Sequence, residues 1–229
     1  MTKKKKIDKG LTAILPDIHI PYQDEGAVAE ALDRIEEERA GKIVILGDLL
    51  DFEAVSRFSR KLEKRAAFEW ELFQGRMWIK EFHKRFKDRE IHFLAGNHES
   101  RLSKYVVRNC PELSGLPQLA LEEVLEIPKK WHTYSYNLNA VNVDGVNYVH
   151  GRKFSGNVCL SNLKKYMGSI VQGHSHRASS QYLRLPSGEL VGAVEAGCLC
   201  DLRPSYASDV DWSHAMAWAE NGLPYLELI

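Results

Sequence analysis

The chain has 229 residues, 44% of them hydrophobic and 27% charged, with 31 Lys plus Arg against 31 Asp plus Glu. That composition suits one globular domain with a substantial core and argues against wholesale disorder. The even charge balance gives no reason to expect whole-molecule attraction to nucleic acid or membrane, although a local basic groove stays open. No apolar run approaches the roughly 20 residues that a membrane span needs.

Met1-Thr2-Lys3-Lys4-Lys5-Lys6 is basic, but no apolar core follows it before the first strand, so it does not read as a secretory signal. Residues 1–10 are expected to be a solvated basic tail, with a nucleic-acid contact as the lesser reading, and 11–229 a single domain. Leu11 to Leu15 reads as an apolar strand ending at Pro16-Asp17-Ile18-His19. Asp24 then caps a helix expected to reach about Ala40, with Val28, Leu32 and Ile35 on one face, and Gly41 stops it. Ile43-Val44-Ile45-Leu46 is a short, mostly β-branched strand that delivers Gly47-Asp48-Leu49-Leu50-Asp51. Strand, helix and strand in succession, with hydrophobic strands, predict a parallel sheet covered on both faces.

From Phe52 to Arg89 the pattern is helical and reads as an insert. One stripe, Phe68, Leu72, Gly75, Ile79, Phe82 and Phe86, follows helical spacing, and Trp70, Phe73 and Met77 fall on roughly the opposite face. Burial of that second set within the monomer is the favoured expectation, with a homodimer contact as the alternative. Ile91 to Ala95 is a third strand, followed by Gly96-Asn97-His98-Glu99. Short helices are expected over Glu99–Arg108 and Leu119–Leu125. Val141 to Val149 alternates around Asp144-Gly145, a hairpin signal whose second arm leads to His150-Gly151. A helix over Val158–Met167 precedes Ser169–Gln172 and Gly173-His174-Ser175-His176, whose two alternating histidines read as one strand face. Gln181–Leu185 and Leu190–Glu195 are strands about a Pro186-Ser187-Gly188 turn. Ala215–Ala219 and Tyr225–Ile229 flank Asn221-Gly222 as a terminal hairpin.

The cysteines, Cys110, Cys159, Cys198 and Cys200, have neither CxxC spacing nor the density of a disulfide scaffold, and read as reduced thiols of a cytoplasmic protein. Cys198-Leu199-Cys200 would set two thiols on one strand face, but nothing near them in sequence completes a zinc site. His83, His92, His132 and His214 lie in no motif and read as surface or satisfied structural histidines.

The motifs each follow a strand, so their side chains can converge on one sheet rim. The candidate ligands are Asp17 and Asp48, the Asn97 amide oxygen, and the imidazoles of His19, His150, His174 and His176. Seven mixed oxygen and nitrogen donors exceed one tetrahedral zinc and suit two first-row ions joined by a shared carboxylate. The natural division gives Asp17, His19 and His176 to one ion and Asn97, His150 and His174 to the other, with Asp48 between them. A neutral Asn among the donors limits the negative charge in the site, which favours an anionic phosphate.

Asp-x-His, Gly-Asp-x-x-Asp, Gly-Asn-His-Glu, His-Gly and Gly-His-x-His, in this order from Asp17 to His176, resemble the motif set of the calcineurin-like metallophosphoesterases. The resemblance implies an α/β fold, a four-layer α/β/β/α sandwich with two central mixed sheets and the metal site at the carboxyl ends of strands. It implies two divalent metal ions, manganese first with iron, zinc or nickel as alternatives, and the same ligand division. It also implies catalytic roles for His98, which protonates the leaving oxygen, and for Asp51, which orients His98. Both roles suit the chemistry of an imidazole backed by a carboxylate.

The expected function is a dinuclear metal-dependent phosphoesterase in which a metal-bridging hydroxide attacks the phosphate. Its substrate is expected to be a nucleotide or nucleic acid, in a phosphodiesterase or phosphatase reaction. Alternatives are a DNA or RNA nuclease or an enzyme like the Ser/Thr protein phosphatases, and a non-catalytic metal-binding module is the least favoured. Gly96 to Arg101 is similar to the protein-phosphatase run, but those enzymes continue Gly-Asp-x-x-Asp with Arg-Gly, where this chain has Phe52-Glu53. Arg101 and Arg152, and less so Arg57, are the candidates for gripping phosphate. Phe52, Phe58, Trp70 and Trp78 are candidates for stacking on bases, with core packing the preferred reading.

Overall fold

Apolar strands and the helices between them account for the layering seen in a computed structural model, which describes residues 6–57, 64–136, 139–152, 156–203 and 210–229. The expectations for Phe58 and for the lysine run through Lys5 lie outside the described residues. In chain order the elements are β1 (Asp8–Leu15), α1 (Glu25–Glu38), β2 (Ala40–Ile45), α2 (Lys64–Arg85), β3 (Glu90–Leu94), α3 (Ser100–Asn109), α4 (Leu121–Val124) and β4 (His132–Tyr134). They continue with β5 (Val141–Val143), β6 (Val146–Val149), α5 (Val158–Tyr166), β7 (Ile170–Gln172), β8 (Ala178–Arg184), β9 (Leu190–Ala196), β10 (Ala215–Glu220) and β11 (Leu223–Leu228).

Two mixed sheets result. The first has the order β11-β10-β1-β2-β3-β4, with β1 to β4 parallel and the terminal hairpin antiparallel beside β1. The second has the order β5-β6-β7-β9-β8, with a parallel centre and antiparallel edges. Alternation along each buried strand sends side chains to both faces. Ile14, Val44, Leu46 and Leu94 meet Val146, Tyr148, Val171 and Val194 between the sheets. Ala13, Leu15, Ile43, Ile45, Ile91 and Phe93 face outward into a core shared with Ala31 and Ile35 of α1 and Ile79 and Phe82 of α2. Cys159 and Leu163 of α5 cover Ile170 and Ala193 on the far side. The layers are therefore α/β/β/α, as the resemblance implied.

Several local expectations are corrected. Helix α1 is capped by Asp24, whose carboxylate accepts from the Ala27 N–H at 2.9 Å, but it ends at Glu38, with Arg39 in the left-handed region. Gly41 is not its stop signal. It lies inside β2, where a Cβ would come within 2.5 Å of the Asp8 carbonyl oxygen, so it serves the close approach of β1. In the stretch expected to be helical, Glu53–Val55 forms one 3-10 turn, and the described part of α2 covers Lys64–Arg85. The stripe ending in Ile79, Phe82 and Phe86 is buried as expected, whereas Trp70, Phe73 and Met77 are 56%, 52% and 40% exposed. The insert is covered on one face only. Phe52 is fully buried, which fits core packing and not base stacking. Strand β4 carried no signal in sequence. It is a three-residue edge strand, paired with β3 alone in its sheet, with Thr133 also bonded to Glu122 of α4.

Candidate metal centre

Strands β1, β2, β3, β6 and β7 all run their carboxyl ends to one rim. Asp17 and His19 follow β1, Asp48 and Asp51 follow β2, Asn97 and His98 follow β3, His150 follows β6, and His174 and His176 follow β7. The loops that hold them are strained. Asp17, His19, Asp48, His174 and His176 all have positive φ, from 37° to 70°. Such backbone costs of order 1–3 kcal/mol per residue and persists where the surroundings enforce it, commonly at functional sites. Motif glycines leave the room. A Cβ on Gly96 would lie 2.0 Å from Asp48 Oδ1, and one on Gly173 would lie 2.4 Å from Asp17 Oδ2.

The seven candidate ligands converge on this rim. In one group His19 Nε2 lies 3.2 Å from His176 Nε2, and Asp17 Oδ1 lies 3.9 Å from the former and 3.3 Å from the latter. In the other, Asp48, His150 and His174 cluster, with His150 Nε2 3.2 Å from Asp48 Oδ2 and 2.9 Å from Asn97 Oδ1. Asp48 Oδ2 also lies 3.7 Å from His19 Nε2, so one carboxylate oxygen faces both groups.

The far nitrogens of three rings are anchored, which aims each Nε2 inward. His150 Nδ1 lies 2.9 Å from the Leu46 carbonyl and His19 Nδ1 3.0 Å from Asp51 Oδ1, while His176 Nδ1 has the Cys200 sulfur at 3.8 Å. Anchoring of this kind is the usual support of a metal-binding imidazole. The electrostatics point the same way. Burial alone would push the Asp48 carboxyl up, but His150 and His98 hold it well below the usual carboxylate range. Burial likewise opposes charge on His150, and Asp48 then Asp17 override it, raising that imidazole to about 10. Two fully buried carboxylates thus attract positive charge strongly, and the donor set of carboxylate, amide and imidazole fits divalent first-row ions.

His98 lies beside this centre. Its Nδ1 is 2.8 Å from the Asp51 carbonyl oxygen and 3.1 Å from Asp51 Oδ1, so Asp51 contacts both His19 and His98. Arg101 donates to His98 Nε2 at 2.8 Å and to the Asp51 carbonyl at 2.7 Å, placing a guanidinium at the rim. Arg152 stands farther off, its guanidinium 5.1 Å from the Tyr136 ring, which itself lies 6.0 Å from the His150 ring. Arg57 is exposed.

Two sequence expectations change. His174 and His176 do not share a strand face. They sit in the loop past β7 and turn to different groups. Cys198 and Cys200 do have a neighbour that sequence order hid, because His176 lies beside both thiols. One residue was passed over. Glu99 is buried, and its Oε2 accepts from the Asp48 and Gly96 N–H groups at 2.9 and 2.6 Å while Oε1 accepts from Leu50 at 3.0 Å. Its signal was an acid ending an otherwise polar motif, immediately after His98.

Comparison with known proteins follows the same line. The profile of the calcineurin-like phosphoesterases matches residues 11–222. No curated protein matches the chain. Among solved structures, Vps29 of Chaetomium thermophilum is similar at 10% identity and a TM-score of 0.43, covering 96% of each chain. No helix among the described residues is long and apolar enough to cross a membrane. With the profile spanning nearly the whole chain, this protein belongs to the calcineurin-like phosphoesterase family.

Proposed function

We propose that the chain is a dinuclear, divalent-metal-dependent phosphoesterase acting on a nucleotide or nucleic-acid ester. The observation that carries this reading is the position of Asp48 Oδ2, between His150 Nε2 at 3.2 Å and His19 Nε2 at 3.7 Å, where a shared carboxylate ligand belongs. Asp17, His19 and His176 would hold one ion, and Asn97, His150 and His174 the other. Manganese is the first ion to test, with iron, zinc or nickel as the alternatives that an imidazole-rich set also suits. Two such ions, when bound, supply water activation and charge neutralisation at the phosphoryl group.

The chain's own groups do the rest. An incoming phosphate draws the Arg101 guanidinium from His98 Nε2 to its own oxygens, with Arg152 as a second anchor from the β6 side. With Arg101 withdrawn, His98 Nε2 takes a proton from solvent and, held at Nδ1 by Asp51, gives it to the leaving oxygen. Burial works against a protonated His98, but Asp48 and Asp51 outweigh it and raise its pKa, as a general acid requires. Residues 11–229 act as one catalytic domain, placed in the cytoplasm.

The test is hydrolysis of bis(p-nitrophenyl) phosphate and p-nitrophenyl phosphate by metal-stripped protein with and without added manganese, using His98→Ala as control. Metal-dependent turnover of the diester, lost in the control, is expected and directs the substrate search to cyclic nucleotides and nucleic acids. A preference for the monoester would redirect it to nucleotides and phosphoproteins. No turnover of either ester by protein that holds two metals would overturn the enzymatic reading.

A further inference from the structure

At the opposite end of β3 from the rim lies a second group of metal-binding side chains that the phosphoesterase reading does not use. The parallel ladder sets His92 of β3 directly across from His132 of β4, and Glu90, two residues earlier on β3, shares the face of His92. His92 Nε2 is 3.0 Å from Glu90 Oε1, and His132 Nε2 is 3.9 Å from the same oxygen. The two imidazoles stack with centroids 4.8 Å apart.

From this cluster we infer that Glu90, His92 and His132 form a separate site for one divalent transition-metal ion of the zinc type, distant in the fold from the rim centre. Two imidazoles and a carboxylate are a zinc donor set, and three ligand atoms within 4.8 Å of one another need only small side-chain rotations to reach about 2.0–2.2 Å from a common ion. The ligands differ usefully in mobility. His92 is 5% exposed and its Nδ1 is fixed 3.1 Å from the Tyr134 hydroxyl, which turns Nε2 toward Glu90. The His132 side chain is 54% exposed, so it has room on its solvent side to adjust onto an ion. Burial lowers the His92 pKa against the pull of Glu90, favouring the neutral ring that ligation requires. Lys42, opposite Glu90 on β2, has its charge occupied by Asp144. An ion here would tie the edge strand β4 to β3, whose other end leads into Gly96-Asn97-His98.

The experiment compares chelator-stripped wild-type protein with His132→Ala by equilibrium dialysis against Zn2+ and metal analysis. Wild type is expected to hold one more equivalent than the variant. That difference does not depend on how many ions the rim centre takes, so it stands or falls apart from the phosphoesterase reading. Equal stoichiometry in the two proteins overturns the site. His132 is exposed, so its replacement leaves the fold intact, which circular dichroism verifies. Should it fail to fold, imidazole 15N spectra of the wild-type chain serve instead. Zn2+ is expected to shift the His92 and His132 Nε2 resonances, and unmoved resonances in metal-saturated protein refute the site.

Discussion

Replacing Glu99 tests whether the rim is held by its backbone or only by its ligands. This carboxylate is 3% exposed and is the hydrogen-bond acceptor for three N–H groups, those of Asp48, Leu50 and Gly96. In Glu99→Ala all three lose their acceptor in a buried setting. At about 1–3 kcal/mol for each unsatisfied group, the loss comes to about 3–9 kcal/mol, comparable with the 5–15 kcal/mol typical of a domain. Glu99→Gln is the sharper probe. An amide keeps one acceptor oxygen and presents an NH2 to donors, so either the Leu50 bond or the Asp48 and Gly96 pair is lost. A destabilisation of about 2–4 kcal/mol is expected from that mismatch. Because the Asp48 backbone is released, metal affinity should fall as well. Urea unfolding of stripped protein gives the first quantity and manganese titration the second. A Glu99→Gln chain within 1 kcal/mol of wild type (about the worth of one ordinary hydrogen bond), with unchanged metal affinity, would refute the idea that Glu99 builds the rim.

Other expectations follow from single contacts. Gly96→Ala would drive a Cβ to 2.0 Å from Asp48 Oδ1, so it should abolish metal-dependent turnover even where circular dichroism finds the fold retained. Arg101→Ala removes a guanidinium at the rim and should lower kcat/KM by about 10–100-fold, mostly through KM, as expected for a charged hydrogen bond worth about 1.5–3 kcal/mol; unchanged kinetics would exclude Arg101 from phosphate binding. Glu71, which accepts from the Phe52 N–H, has its pKa raised by burial to about 8, against 4.5 for the free side chain. A carboxyl raised in the folded state loses stability as pH climbs from its unfolded to its folded pKa. Glu71→Gln keeps an acceptor without the charge, so its stability relative to wild type should rise between pH 4.5 and 8, by at most about 1.4 kcal/mol per pH unit. Parallel urea midpoints across that range would contradict the shift.

Strands, hairpins and most helices were legible because their signals are local: a mostly β-branched run at Ile43–Leu46, an Asp cap at Asp24, an Asp-Gly turn at Asp144 and an Asn-Gly turn at Asn221. The candidate site was legible because its residues stand in short motifs after those strands. Tertiary structure decided what depends on neighbours far apart in sequence. Strand β4 has no pattern of its own and exists through its ladder to β3. Trp70, Phe73 and Met77 are as apolar as a buried face, and only the placement of α2 leaves them exposed. His174 and His176 alternate as a strand would, but left-handed turns send them to different groups. Glu99 looks like any helix-leading acid until three N–H groups from two loops close on it. Sequence determines which residues have the chemistry and which local backbone carries them; which of them meet is set by the packing of two sheets against each other.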